Sequence, residues 1–249
     1  NDQIILNKKE APMELSKRLK AVAGLVTEGA SVADIGTDHG YIPIHLIEQN
    51  LSPKVIAMDI NKGPLERARI HIAGYGMSDR IETRLSDGLA AVKPKEVEEI
   101  IVAGMGGGLV IHILNEDPAK TRSLKELILQ PQSELAKVRR YLEEHRFRIV
   151  AEDMVEEDGK YYPMMKVIPT EQKGLYVEGV PAAEEELEYG KYLLEKGHPV
   201  MGEYLKKELS VNQGVYEKLR VQESERTKER SAEVLHMIKR AEDLLDRYF

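Results

Sequence analysis

Short apolar runs alternate with amphipathic stretches over residues 15–169. The runs are rich in β-branched residues. They occupy residues 32–35, 55–60, 80–85, 99–103, 127–130, 148–155 and 164–168. Segments of helical length and period separate the first five runs, and this alternation predicts a mostly parallel sheet that is covered by helices on both faces. The predicted fold class is therefore α/β.

The last two runs are joined by a short turn-like segment, residues 156–162, which predicts an antiparallel hairpin at one edge of the sheet. Because the sixth run is then parallel and the seventh antiparallel, the turn projects from the side of the sheet where the parallel strands end. Ligands of doubly wound sheets bind at that side.

Helix signals lie between the runs. Asn61 is predicted to cap a helix that ends near residues 74–76, and Ser133 is predicted to cap the helix after the fifth run. Residues 15–26 predict an amphipathic helix ahead of the first strand. Its polar side carries Lys17, Arg18 and Lys20.

The pattern changes after Pro169. Residues 171–181 form a linker that contains two glycines and a proline, and no strand pattern occurs from Ala182 onward. Leucine, isoleucine and valine instead lie among dense charges, which predicts amphipathic helices that could pair as an antiparallel hairpin. The sequence thus predicts two domains, residues 1–172 and residues 173–249.

Composition limits the possible functions. The 249 residues carry 36 Lys plus Arg against 43 Asp plus Glu, and a net charge of -7 argues only weakly against a nucleic-acid partner, since it says little about one face. The absence of cysteine excludes disulfides and Cys-ligated metals and favours a reducing cytoplasm. No apolar stretch reaches the roughly 18 residues of a membrane span, and residues 1–10 lack a signal-peptide pattern.

Candidate chemistry begins in the segment VADIGTDHGYIP, residues 32–43. Asp34 ends a strand, Gly36 permits a sharp turn and Gly40 stands at the start of the next helix, so a ligand can approach the backbone. A dinucleotide fingerprint would be G-x-G-x-x-G, whereas Asp38 places a carboxylate here that repels a pyrophosphate. The loop favours a ligand with a cationic end, such as S-adenosylmethionine. An ordinary strand-to-helix turn with capping carboxylates is the alternative.

Two more acids follow strands. Asp59 ends the second strand, where an acid can bind the hydroxyls of a ribose. Asp87 lies in a Ser-Asp-Gly turn after the third strand, where it can accept from an adenine amine. The fourth strand runs into AGMGGGL, residues 103–109, which lacks the lysine of a phosphate-binding loop and leaves space beside a reactive carbon. Together these positions predict an adenosine site.

The segments DIGTDHGYIP, AMDIN, SDG and AGMGG resemble the bacterial tRNA adenine-N1 methyltransferases of the TrmK family, which modify adenine 22. The resemblance extends over residues 15–169. It implies a Rossmann-like methyltransferase sheet of seven strands, a C-terminal all-helical, coiled-coil-like domain, S-adenosylmethionine as cofactor and tRNA as substrate. The expected cofactor-binding residues are Asp34, Gly36, Asp38, His39, Gly40, Asp59, Ile60, Asp87, Gly88, Gly104, Met105 and Gly106.

Methyl transfer to adenine N1 requires a free lone pair more than a strong base, so no catalytic residue is assigned. The candidates for positioning the target base are Tyr41, Met105, Gln130, Lys160 and Tyr161. The candidates for RNA contact are Lys17, Arg18, Lys20, Lys206 and Lys207. A further basic group consists of Arg139, Arg140, Arg146 and Arg148.

Two other functions stay open. One is a methyltransferase that acts on a small molecule or a protein, with the helical domain as a lid. The other is a catalytically idle RNA-binding protein that keeps an adenosyl pocket. No metal site is expected, because the histidine spacing does not fit one. The oligomeric state is left open, with a monomer plausible.

Overall fold

The structure of the protein, a computed structural model, describes residues 14–221 and 225–249. The strands in these ranges are β1 (Val32–Ile35), β2 (Val55–Asp59), β3 (Ile81–Leu85), β4 (Glu99–Met105), β5 (Glu126–Pro131), β6 (Phe147–Glu157) and β7 (Lys160–Pro169). The helices are α1 (Lys17–Gly24), α2 (Tyr41–Glu48), α3 (Lys62–Gly74), α4 (Gly107–Glu116), α5 (Pro118–Ser123), α6 (Leu135–Glu144), α7 (Glu184–Tyr189), α8 (Lys191–Glu195), α9 (Pro199–Leu219) and α10 (Glu225–Tyr248).

One sheet of seven strands runs through the molecule in the order β3-β2-β1-β4-β5-β7-β6. The strands β1 to β5 are parallel, and β7 is antiparallel to both β5 and β6. The turn between β6 and β7 is Asp158-Gly159, with φ of 53° and 76°, which matches the right-handed strand twist of a two-residue hairpin. The predicted α/β class, Rossmann-like sheet and edge hairpin are confirmed.

Both faces of the sheet are buried, which explains why its parallel strands read as continuous apolar runs. One face packs on α1, α2 and α3, where Val32 and Ile101 join residues such as Ile44 in one apolar cluster. On the other face, Ala33 and Ile100 pack with residues of α4 and α6. Strand ends, rather than strand faces, are therefore the part of the sheet that is open to a ligand.

The two predicted helix caps have different outcomes. Asn61 occupies the N-cap position of α3, which ends at Gly74 as expected, but its side chain makes no capping hydrogen bond. The prediction for Ser133 is wrong, because Glu134, with φ of 54°, precedes α6. Ser133 Oγ instead accepts from Gly107 N at 3.3 Å, and a Glu134 carboxylate oxygen accepts from Gly108 N at 2.9 Å. The loop after β5 caps α4, since the glycines that open α4 have no side chain to do so.

The segment after the sheet is packed rather than extended. Leu175, Tyr176 and Leu187 belong to the core on the α6 face, and Ile149 N donates to Leu175 O at 2.8 Å. The predicted linker therefore lies along the edge of the sheet. The domain boundary between residues 172 and 173 stays a prediction.

The predicted helical hairpin is formed by α9 and α10, which pack against each other. Its base contributes Met201, Leu205 and Leu244 to a third apolar cluster, and Met154 of β6 joins them there. The base of the hairpin is therefore fixed to the sheet. No helix in the described part of the chain is both long enough and apolar enough to cross a bilayer.

A buried ion pair joins the sheet to the first C-terminal helices. Arg139 of α6 is 1% exposed and lies 2.9 Å from a carboxylate oxygen of Glu152 on β6. Its guanidinium also donates to the carbonyls of Leu187 and Glu188, and Glu152 accepts from Tyr192 N. The grouping of Arg139 with RNA-contacting arginines is wrong, because apolar neighbours bury it and its charge is already paired.

Candidate active site

The strand order reverses between β1 and β4, so their carboxyl ends leave a crevice at the edge of the sheet. A cavity of about 220 Å³ lies in this crevice. Its walls come from the loop after β1, from the end of β4 and from α1. They include Arg18, Asp34, Gly36, Asp38, His39 and Tyr41. The structure thus brings together the residues of the loop that the sequence singled out.

Asp34 is the most deeply buried acid of the crevice. It is 4% exposed, and burial, together with the nearby charge of Asp59, raises the pKa of its carboxyl to about 6. Asp59 is 8% exposed at the end of β2, where its carboxylate accepts from Asn61 N at 2.8 Å and from Asp38 N at 3.4 Å. Two nearby carboxylates in a buried crevice favour a ligand that carries positive charge or hydroxyl groups.

Gly36 turns the chain away from β1 with φ of 74°. A Cβ at this position would overlap the terminal methyl of Met105, so a larger residue requires the Met105 side chain to move as well as a strained backbone. Met105, at the end of β4, is half-buried and also packs against the core of the α4 face. It is therefore a core residue that also contacts the turn at Gly36.

Three rings stand beside the mouth of the cavity. His39 and Tyr41 lie with their ring centroids 5.2 Å apart and their planes 10° apart, and His71 of α3 lies 5.6 Å from each. The exposed carboxylate of Asp38 pairs with Arg67 at 2.9 Å. His71 and Arg67 were not found from the sequence, because no spacing links α3 to a loop that precedes it by a whole strand.

Arg18 enters the crevice from α1. Its Nη1 donates to Gln130 Oε1 at 3.0 Å, and the same oxygen accepts from Gly104 N at 3.1 Å. The guanidinium carbon of Arg18 lies 5.6 Å from the centroid of the Tyr162 ring. Because the Gln130 side chain is fully buried, its oxygen has a fixed position, and the hydrogen bond to this oxygen holds the Arg18 guanidinium above the loop after β4. Arg18 therefore faces the cavity, whereas Lys17 and Lys20 of the same helix are exposed.

Other predicted site residues lie at this side of the sheet without lining the cavity. Asp87 is exposed and Gly88 is buried in the turn after β3, while Ile60 is 58% exposed after β2. Gly40 begins α2, and Gly104 and Gly106 flank Met105. Lys160 is exposed beside the hairpin turn, and Tyr161 contacts the C-terminal helices instead of the crevice. No cluster of metal-ligating side chains occurs among residues 14–221 and 225–249.

Comparison with known proteins agrees with this geometry. A family model described as a methyltransferase domain matches residues 15–165. The tRNA (adenine(22)-N(1))-methyltransferase of Bacillus subtilis is 31% identical over 235 residues, which cover 94% of this chain and 98% of that protein. The chain belongs to this methyltransferase family. The resemblance expected from the sequence motifs is confirmed.

Solved structures of the methyltransferase family share the fold over nearly the whole chain. Sp1610 of Streptococcus pneumoniae, solved in complex with S-adenosyl-L-methionine, has a TM-score of 0.79 at 30% identity and covers 93% of this chain and 100% of its own. TrmK of M. capricolum, solved with S-adenosyl-homocysteine, has a TM-score of 0.78 at 27% identity and covers 95% of this chain and 100% of its own.

Proposed function

We propose that the chain transfers the methyl group of S-adenosylmethionine to N1 of adenine 22 in tRNA. The observation that carries this proposal is the meeting of Asp34, Asp59 and the glycine loops at the reversal point of the sheet, in a chain that matches the methyltransferase of Bacillus subtilis over 94% of its length. With tRNA as the substrate, the enzyme acts in the cytoplasm, as the absence of cysteine also suggests.

The residues of the crevice fit S-adenosylmethionine. Asp34 binds its ammonium, Asp59 the two ribose hydroxyls and Asp87 the adenine amine. Arg18 binds its carboxylate, because the contact with Gln130 occupies one of five guanidinium N–H groups and leaves others free to donate. His39 Nδ1 is buried without a hydrogen-bond partner, as expected of a group that meets a ligand. When bound, the cofactor supplies a sulfonium methyl group.

The protein acts mainly by positioning. Since adenine N1 already has a free lone pair, the site has to align it with the methyl carbon, and orientation of this kind contributes up to about 7–11 kcal/mol in model reactions. The glycines that flank Met105 let the loop after β4 pack closely on the side chains of Arg18, Gln132 and Ser133. Gln130 holds the backbone of Gly104 through its side-chain oxygen, which fixes this loop. Tyr41, Lys160 and Tyr161 stay candidates for contacts with the RNA around the target.

Adenine N1 lies on the Watson-Crick edge, so the base must leave its stack before transfer, at a cost of a few kcal/mol. Contacts with the RNA backbone offset this cost. Exposed cations at the active side of the protein are the candidates for those contacts. They are Lys17 and Lys20 on α1 and Lys206 and Lys207 on α9.

The proposed function is tested by incubating the full chain with labelled S-adenosylmethionine and an unmodified tRNA transcript, followed by digestion to nucleosides. The expected product is 1-methyladenosine, which disappears when adenine 22 of the transcript is replaced by guanine. A different methylated nucleoside would assign another tRNA reaction. Cofactor binding without any labelled nucleoside would favour the lid or the idle RNA-binding alternative.

A further inference from the structure

A second cavity, of about 510 Å³, lies between the sheet and the C-terminal helices. It is bounded by the start of α6, by the β6–β7 hairpin and by helices α7 and α9. Its apolar walls are Met154, Tyr161, Pro163, Tyr189, Met201 and Tyr204. The volume falls within the range of roughly 300–1,000 Å³ that is typical of small-molecule sites.

The aromatic walls suit a flat ligand. Tyr161 and Tyr204 meet edge to face with centroids 5.3 Å apart, and Tyr189 lies 6.4 Å from Tyr204 at a tilt of 59°. Tyr161 and Tyr204 are each only partly buried, so part of each ring is open to a ligand. Planar aromatic ligands bind such surfaces by stacking or by edge contacts.

The two acids in the walls of the second cavity are paired, which favours a neutral ligand. Glu134 is paired with Lys137 at 2.9 Å and with the amide of Gly108, and Glu188 lies 3.9 Å from Arg240. The acids of the walls are thus balanced. Lys137 is exposed as the partner of Glu134. Lys207 is exposed beside the cavity, where its ammonium donates to Gly159 O at 3.0 Å and lies 5.0 Å from the centroid of the Tyr161 ring.

The second cavity adjoins the proposed methyl-transfer site. Gln132 forms part of its wall, and a methyl group on Gly104 would lie 3.8 Å from Gln132 Nε2 and 3.3 Å from Arg18 Nη1. Tyr161 and Tyr162 are consecutive on β7 and point to opposite faces, so Tyr162 meets Arg18 while Tyr161 lines the second cavity. One strand therefore separates the two cavities.

We infer that the second cavity binds the base of a nucleotide that flanks the target adenine in the RNA chain. This inference rests on the proposed function. A neutral planar base matches the aromatic walls and the paired acids of the second cavity. A position next to the target matches Gln132, which lines this cavity and lies beside Gly104. Proteins recognise single-stranded RNA by stacking splayed-out bases on aromatic side chains in this way.

The test blocks the cavity without removing its walls. Ala136 of α6 is half-buried in the wall, so Ala136→Phe fills the space. Ala119→Phe makes the same change at an exposed position of α5, near Pro169 at the opposite side of the sheet. Three tRNA transcripts carry 2-aminopurine at position 21, 22 or 23, and their fluorescence is measured on binding to the full-length wild type and both variants. Thermal melts verify that both variants are folded.

Binding to the wild type is expected to change the fluorescence of the position 21 or the position 23 transcript. Ala136→Phe should remove that change and raise the KM for tRNA about tenfold, with cofactor affinity unchanged, while Ala119→Phe behaves as the wild type. A change at 21 or 23 that persists in Ala136→Phe overturns the inference, as does no change at either. The inference is also overturned if the only fluorescence change that Ala136→Phe removes is that of the position 22 transcript. The cavity would then bind the target adenine itself. If the wild type transfers no methyl group but the fluorescence result holds, the proposed function fails and the base site stands.

Discussion

The methyl group of Met105 occupies the space in which a side chain at Gly36 would begin. The ends of β1 and β4 approach so closely here that a Cβ at Gly36 would lie 2.3 Å from Met105 Cε. This contact joins the turn after β1 to the end of β4, and it adds a shift of the Met105 side chain to the strain that a larger residue meets at a φ of 74°.

Gly36→Ala is expected to lower the free energy of unfolding by about 1–3 kcal/mol and to weaken cofactor binding, because it combines backbone strain with a forced shift of the Met105 side chain. Denaturant unfolding and calorimetry measure the two effects. Gly29→Ala is the matched control: its φ is 85°, yet no atom lies within 4 Å of the added Cβ. Equal losses of stability in both variants, with no further gain in Gly36→Ala/Met105→Ala, would contradict the role of the contact.

Asp34 should make cofactor affinity depend on pH. Its pKa of about 6 means that a growing fraction of the carboxyl is neutral below that pH, while a bound ammonium requires the anion. We expect the affinity for S-adenosylmethionine to fall about tenfold from pH 7 to pH 5 in calorimetric titrations. Asp34→Asn should bind more weakly at pH 7 and lose most of this dependence. A wild-type affinity that is flat over this range would refute the placement of the ammonium on Asp34.

The same residue should lower stability at neutral pH. A carboxyl whose pKa is raised on folding binds more protons in the folded state, so its contribution to stability is greatest below about pH 4 and is lost as the pH rises to about 6. Asp34→Asn is therefore expected to be more stable than the wild type by up to about 3 kcal/mol at pH 7, and by less at pH 4. Urea titrations of both proteins at these two pH values measure the difference.

Arg18→Ala is expected to weaken S-adenosylmethionine binding about tenfold or more, because a charge-assisted contact with the carboxylate is lost. Decarboxylated S-adenosylmethionine should bind the variant and the wild type alike. Lys17→Ala changes a neighbouring exposed cation and should leave both affinities unaltered. If Arg18→Ala weakens both ligands equally, Arg18 acts only by holding the loop through Gln130.

Arg139→Ala is expected to reduce the free energy of unfolding by about 3–5 kcal/mol, since it leaves the carboxylate of Glu152 buried without its counter-charge. Arg140→Ala, on the next residue, removes an exposed pair with Glu184 and should cost less than about 1 kcal/mol. Chemical unfolding gives both values, and limited proteolysis of α7 and α8 should increase only in Arg139→Ala. Similar losses in the two variants would show that the buried pair has no special role.

The outer part of the α9–α10 hairpin is expected to serve RNA binding alone. Replacing residues 213–235 by a short Gly-Ser loop keeps Leu205 and Leu244, which anchor the hairpin to β6. Cofactor affinity should stay unchanged and the KM for tRNA should rise, as measured by calorimetry and by initial rates. An unchanged KM would restrict RNA contacts to the sheet domain and the base of the hairpin.

Local patterns were sufficient to predict most of the fold. β-Branched runs marked the strands, and the short connection between the last two runs marked their hairpin. The predictions that were wrong concern residues whose positions depend on contacts between segments that are distant in the sequence. Ser133 has the chemistry of an N-cap, but it caps α4 because the glycines of that helix lie beside it in space. The sequence alone predicts that Arg139 is a surface cation, and only the position of Glu152 on a neighbouring strand explains its burial.

The candidate site shows the same division between features that local patterns predict and features that depend on distant contacts. The acids at strand ends could be found because parallel strands deliver their carboxyl ends to one side of a sheet. Arg18 was placed on the polar side of its helix, since amphipathic spacing cannot distinguish solvent from a polar crevice. Tyr161 was a candidate for positioning the target base, yet it contacts the C-terminal helices, because strand alternation sends it to the face opposite Tyr162. His71 reaches the site from α3, which no sequence spacing could indicate.

The capping of α4 by the loop after β5 has a mechanical consequence. Ser133 and Glu134 accept from the amides of Gly107 and Gly108, so two hydrogen bonds tie the loop after β5 to the glycines that follow β4. Because Glu134 also lines the aromatic cavity, the wall of one proposed site is anchored to the loop beside the other.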